Sequence, residues 1–192
     1  MAWPLARLRA LILGIGLFVA IQTAVAQDRG QFEVLTATDE LVDGIYEVDA
    51  LIYLRLPTEA TDALHATVPL TIRIEVQFLN RLWFWWDNTE FEKVQRFRLS
   101  YYPLADRYVV HNLQTNQRSP FASLEDALEF IGQVDALPVV DAALLDDDRR
   151  YDIRVRAVLD KEELPGPLRM MAFWRRDWSI ASEWLLWRLD DA

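Results

Sequence analysis

Cysteine is absent from this 192-residue chain, histidine occurs only twice, and the six glycines are scattered. Without cysteine there is no disulfide staple, no thiol nucleophile and no thiolate metal site. Scattered glycines leave no Gly-rich loop to cradle a phosphate. His65 and His111 stand alone, with no H-E-x-x-H helix around either and no serine in a G-x-S-x-G elbow. Positive charge is also scarce, with 20 Lys and Arg against 30 Asp and Glu and a formal net charge of −10. A chain this acidic lacks the basic surface that nucleic acid needs, and it has no simple electrostatic attraction to anionic lipid.

The N-terminus has its own pattern. Arg7 and Arg9 precede an apolar run from Ala10 to Ile21, followed by Ala24-Val25-Ala26. A basic start, a short apolar run and an A-x-A exit are expected of a secretory signal peptide, here residues 1–26. The run is shorter than the roughly 20 residues of a membrane span. The alternative is an uncleaved N-terminal anchor. No cysteine follows the run to make a lipoprotein, and no later segment has the apolar length to cross a bilayer. Loss of Arg7 and Arg9 makes the remainder, 27–192, still more acidic. It is expected to be one domain with enough core to fold without metal or disulfide. Export without cysteine fits a bacterial periplasm.

What the chain does have is alternation. Tyr46, Val48, Ala50, Ile52, Leu54 and Leu56 share one face of a strand over 45–56, with Glu47, Asp49 and Arg55 on the other. A first short strand covers 31–38, and Asp43-Gly44 signals the turn between them. After Pro57, residues 58–66 read as a short helix capped by Thr58. The longest strand-like run is 69–88. Its even positions Leu70, Ile72, Ile74, Val76 and Phe78 form a core row, and Thr71, Arg73, Glu75 and Gln77 form a solvent row. A bend or bulge is expected at Asn80-Arg81, because one unbroken strand of such length is rare. Asp87-Asn88 reads as a hairpin turn.

Strands are further expected over 91–102, 107–113, 151–159 and 178–186, with an extended piece at 137–140. Ser123 opens a helix whose stripe is Leu124, Ala127, Leu128 and Ile131. Seven strands with turn signals between them make the fold class all-β and mainly antiparallel. The expected architecture is an immunoglobulin-like two-sheet β-sandwich with one inserted α-helix at about 123–133. The alternative is a single curved sheet wrapped around the Ser123 helix.

Candidate sites are few. Trp83 and Trp85 lie two residues apart on one side of the long run, ~6.7 Å at strand rise. They offer a platform for a sugar ring, a protein hot spot or a membrane interface. Arg81 and Arg96 are placed to stack on these rings. The competing reading packs Trp83 and Trp85 beneath the Ser123 helix or the 169–174 segment. Glu47 and Asp49, on one strand face and again ~6.7 Å apart, have a separation used by glycosidase carboxylate pairs. Acidic residues on the wet face of a strand are ordinary, however. Asp146, Asp147 and Asp148 form an acidic loop without the D-x-D-x-D-G pattern of a calcium site. No cofactor or metal is expected.

The strings GIYEVDALIYLRL, PLTIRIEVQF, RLWFWWD, RLSYYPL, LPGPL and WSIASEW together resemble the proteobacterial family known as domain of unknown function 4390. The resemblance covers nearly the whole chain after the leader. It implies an exported protein but supplies no activity, cofactor or catalytic residue. Members are often encoded beside a membrane histidine kinase, which implies at most an accessory sensor role. The expected function is a non-catalytic periplasmic binding module of the cell envelope, using Arg81, Trp83, Trp85 and Arg96 toward an unidentified envelope protein or glycan. The alternatives are a glycan-acting enzyme with Glu47 and Asp49, or the sensor.

Overall fold

The alternation of 45–56 becomes the middle strand of a small sheet. A computed structural model describes residues 30–80, 88–146, 148–160 and 180–189. Strand β1 (Gln31–Val42) turns at Asp43 and Gly44, both at positive φ, and returns antiparallel as β2 (Ile45–Arg55). Two left-handed residues in a two-residue loop match the twist of the strands they join. β7 (Gln133–Asp141) pairs with the other edge of β2 and completes the order β1-β2-β7.

The second sheet has six antiparallel strands in the order β6-β5-β4-β3-β8-β9. They are β3 (Leu70–Asn80), β4 (Asn88–Tyr102), β5 (Arg107–Asn112), β6 (Arg118–Phe121), β8 (Tyr151–Asp160) and β9 (Leu185–Arg188). Two helices are inserted, α1 (Thr58–His65) after β2 and α2 (Leu124–Gly132) before β7. The chain is an all-β two-sheet sandwich, and the single-sheet alternative is overturned.

The core lies between the sheets. Val48, Ile52, Leu54 and Leu56 from one side meet Leu70, Ile72, Ile74, Val76 and Phe78 from the other, with Ile153, Val155 and Ala157 of β8 beside them. Two bridges tie the layers. The Tyr46 and Phe78 rings lie 6.0 Å apart, and Trp187 Nε1 donates to Asp39 Oδ1 at 2.7 Å. Helix α2 plugs one end, burying Ala127, Leu128 and Ile131, and Ser123 Oγ accepts from the Asp126 amide at 3.1 Å as the expected N-cap.

Five points differ from expectation. Thr58 is the first residue of α1 rather than its cap: the N-cap is Pro57, which has no side chain to accept a hydrogen bond. Arg118–Phe121 is a strand, although Pro120 obscures it; as the edge of the sheet it tolerates a missing N–H. The 137–140 piece extends to the nine residues of β7. The supposed solvent row of β3 is not a solvent row, because Thr71 is 3% exposed and Glu75 4%. Its neighbours on β8 explain this, as described below. The register of β3 against β4 slips between Phe78 and Leu79, two residues before the expected bend. The leader, the aromatic tip at 81–87 and the 164–178 segment lie outside the described residues.

Candidate functional site

Of the expected site residues, Arg81, Trp83 and Trp85 lie outside the described residues. Arg96 sits on β4 directly opposite Arg73 and is half-buried. Its main chain is tied to the β5–β6 turn: the Arg96 amide donates to Gln114 Oε1 at 2.8 Å, and its carbonyl accepts from Leu113 at 2.9 Å. Glu47 and Asp49 share the outer face of β2, as expected. Asp49 Oδ1, however, accepts the amide of Ala136 at 2.8 Å. This contact sits where the β2–β7 register slips between Val48 and Ala50 and where Ala136 adopts φ 47. The Asp49 carboxylate therefore stitches a β-bulge.

Both histidines are engaged. His111 Nε2 bonds Asn116 Oδ1 at 2.7 Å within the β5–β6 turn. His65, at the end of α1, shares a 2.7 Å hydrogen bond with the Tyr108 hydroxyl and packs its ring edge-on to Tyr101 at 5.2 Å. The Tyr101 hydroxyl donates to Asp106 Oδ1 at 2.9 Å, and this carboxylate bond, with some burial, raises the Tyr101 pKa above its ordinary value. Burial, aided by the Glu125 and Asp106 charges, raises that of Tyr108.

The outer face of the large sheet carries a charged network. Glu75 on β3 faces Arg156 on β8, and Arg156 Nε donates to Glu75 Oε2 at 2.7 Å. Arg73 Nη2 lies 3.4 Å from Glu75 Oε1, and Arg73 Nε lies 3.3 Å from Asp160 Oδ2 without the alignment to donate to it. Arg154 Nε donates to Gln77 Oε1 at 2.8 Å. Trp184, just before β9, covers this layer: the guanidinium carbons of Arg154 and Arg156 each lie 4.3 Å from its ring system. This layer covers Glu75, and the contacts of its carboxylate with Arg156 and Arg73 offset the cost of its desolvation.

A cavity of about 510 Å³ opens between the small sheet and α2. Leu51 and Tyr53 of β2 project into it with Leu35, the extra residue where the β1 register slips between Val34 and Thr36. Leu124 and Leu128 form the facing wall, with Glu125 and Glu129 one helical turn apart beside them. Leu35, Leu51 and Tyr53 are 49%, 42% and 44% exposed. Sequence reasoning left these residues out. The signal was the apolar pair Leu51 and Tyr53 within a row otherwise made of Glu47, Asp49 and Arg55.

The family model described as Domain of unknown function (DUF4390) matches residues 29–188. The chain belongs to this family. No curated protein and no solved structure matches the chain. Among the described residues of this DUF4390 protein, no three acidic or histidine side chains gather as a metal site. No helix among them is long and apolar enough to cross a membrane. Among the described residues, the junction of β2 with α2 forms a mainly apolar concave surface bordered by Glu125, Glu129 and Arg55.

Proposed function

We propose that this DUF4390 protein is a non-catalytic binding module of the bacterial periplasm, and that its ligand surface is the groove between β2 and α2. One observation carries the reading. Three large apolar side chains, Leu35, Leu51 and Tyr53, stand exposed around a cavity large enough for a ligand. Clustered apolar exposure beside a concavity is the usual mark of a binding surface, whereas single exposed hydrophobics need no explanation. Their outward position means they contribute little to the core, so their value lies in contact with something else. Compartment follows from the leader-like residues 1–26.

The aromatic side chains Trp83 and Trp85, with Arg81 and Arg96, are a second contact in this reading. The glycan-hydrolase alternative is weakened by the Asp49 contact to Ala136, which occupies one of its two carboxylates.

The test compares wild type with a Leu51→Asp, Tyr53→Asp double variant. Aspartate is a poor strand residue and position 53 pairs with Glu33, so the denaturant midpoint should fall modestly, and re-binding is read under conditions where the variant is folded. Species captured from native envelope by wild-type protein should be identified and then re-bound in purified form. Loss of re-binding in the folded double variant supports the groove. Equal re-binding excludes it. A Trp83→Ala, Trp85→Ala variant tested alongside separates the tip from the groove.

A further inference from the structure

We propose that the groove receives an extended polypeptide segment, apolar at alternate positions and basic between them, which pairs with the free half of β2 as an added strand. This rests on the reading of the groove as the binding surface and names its occupant.

The argument begins with the backbone. β7 pairs with β2 from Ile45 to Leu51, where Gln133 is the last partner. The chain before Gln133 is already helical, so beyond Leu51 this edge of β2 faces α2 instead of a strand. β1 covers the opposite edge through Arg55. The direction of the backbone is fixed by a close approach: a Cβ on Gly132 would stand 2.1 Å from the Ile52 carbonyl oxygen. The Ile52 carbonyl therefore points at α2. In an extended strand the polar groups two residues on point the same way, so Leu54 presents its N–H and C=O to the groove. From Ile52 to Leu56 this edge is about 13 Å long at strand rise. Natural sheets cover, shorten or charge such edges because an edge is a template for another strand. Here the helix touches the edge at Gly132 and leaves a cavity along the remainder.

Side chains then select the occupant. An added strand sends alternate residues to opposite faces. Its apolar row would meet Leu51, Tyr53, Leu124 and Leu128, while its other row would pass Glu125 and Glu129 on α2. Glu125 and Glu129 outnumber Arg55 in the lining of the groove, and in a chain of net charge −10 this balance favours basic side chains by complementarity. Main-chain pairing supplies affinity and the alternate pockets supply specificity, as in strand addition at a sheet edge generally.

The full chain should be titrated with a short fluorescent peptide alternating valine and lysine. Three comparison probes are its analogue N-methylated on alternate amides, a valine–glutamate analogue and dodecanoate. Saturable binding of the valine–lysine peptide is expected, with slowed amide exchange at Leu54. N-methylation should weaken it at least about tenfold, since it removes the ladder donors (~1.4 kcal/mol per tenfold). Glu125→Gln with Glu129→Gln, both exposed and outside the core, should also weaken it about tenfold while leaving the unfolding midpoint in place. Equal binding of the N-methylated peptide overturns strand addition, and equal binding of the valine–glutamate peptide overturns the basic preference. Dodecanoate binding in the absence of any peptide binding overturns the polypeptide occupant and leaves the groove reading standing. If neither peptide nor dodecanoate binds, and the Leu51→Asp, Tyr53→Asp variant still re-binds its envelope species, both readings fall.

Discussion

Arg156 Nε lies 2.7 Å from Glu75 Oε2, directly across the β3–β8 ladder. The Glu75 side chain is 6% exposed, while Arg156 and Arg73 keep 32% and 27% of theirs. The anion is thus the buried partner and the two cations screen it from water. Removing one member of a buried pair costs ~3–5 kcal/mol, because it strands the other charge. Here the stranded arginines are partly hydrated, so Glu75→Ala should destabilise by about 2 kcal/mol. Glu75→Leu, which fills the space without a charge, should cost less than Glu75→Ala. Urea unfolding of the two variants measures the difference. Equal midpoints for wild type and Glu75→Ala would show that the network contributes no net stability.

Asp49 and Ala136 make a second pair with opposite predicted signs. Ala136 holds φ 47, a left-handed conformation that costs an L-residue about 1 kcal/mol and glycine almost nothing. Ala136→Gly should therefore raise stability by no more than about 0.6 kcal/mol, because the entropy glycine adds to the unfolded chain takes back about 0.4–1 kcal/mol of the relief. Asp49→Ala removes the acceptor for the Ala136 amide and should lower stability by about 1 kcal/mol. The pair is checked by thermal denaturation of both single variants. The same Asp49 variant bears on catalysis, since a structural carboxylate changes stability and leaves any turnover per folded molecule intact.

The sheet cores were legible because period-two alternation reports burial directly. The even positions of β3 and the Tyr46-to-Leu56 row carry the core as read. Thr71 and Glu75 were misread because polarity on a strand signals solvent only when nothing covers that face. Around Glu75 that cover is Arg154, Arg156 and Trp184, which lie some 80 and more residues away in sequence, while Thr71 sits between Arg98 and Asp160. β6 was lost to Pro120, whose edge position no local pattern reveals. The groove was hidden for a similar reason. Leu51 and Tyr53 are ordinary strand residues until β7 stops at Gln133 and α2 takes its place beside β2. That substitution of a helix for a strand is a tertiary fact.

The tyrosine cluster predicts an alkaline transition. Tyr101 and Tyr108 both hold their protons more tightly in the fold than at the ordinary pKa of 10.0. A folded value above the unfolded one stabilises the fold fully below about pH 10, and the contribution is lost as pH rises through the folded values. Tyrosinate absorbance should therefore show these two phenols ionising above pH 10. Asp106→Asn removes the carboxylate that accepts from Tyr101 and should bring the Tyr101 transition down while leaving Tyr108 raised by its burial. Should Asp106→Asn leave the Tyr101 transition in place, the hydrogen bond is not its cause.

Gly132 tests the seam on which the groove depends. Alanine is ordinarily the better helix residue by about 1 kcal/mol. At this position its Cβ would stand 2.1 Å from the Ile52 carbonyl oxygen and 3.2 Å from the carbonyl carbon, both backbone atoms of a buried strand residue. Neither can rotate away, so α2 or β2 must shift as a body. Overpacking of this kind costs about 1–3 kcal/mol, enough to cancel the propensity gain and leave Gly132→Ala less stable. Amide exchange locates the strain: protection should fall at the C-terminal turn of α2 and around Ile52, while the β3–β8 ladder keeps wild-type protection. A variant that is as stable as wild type, with exchange unchanged at Ile52, would mean that helix and strand do not meet there.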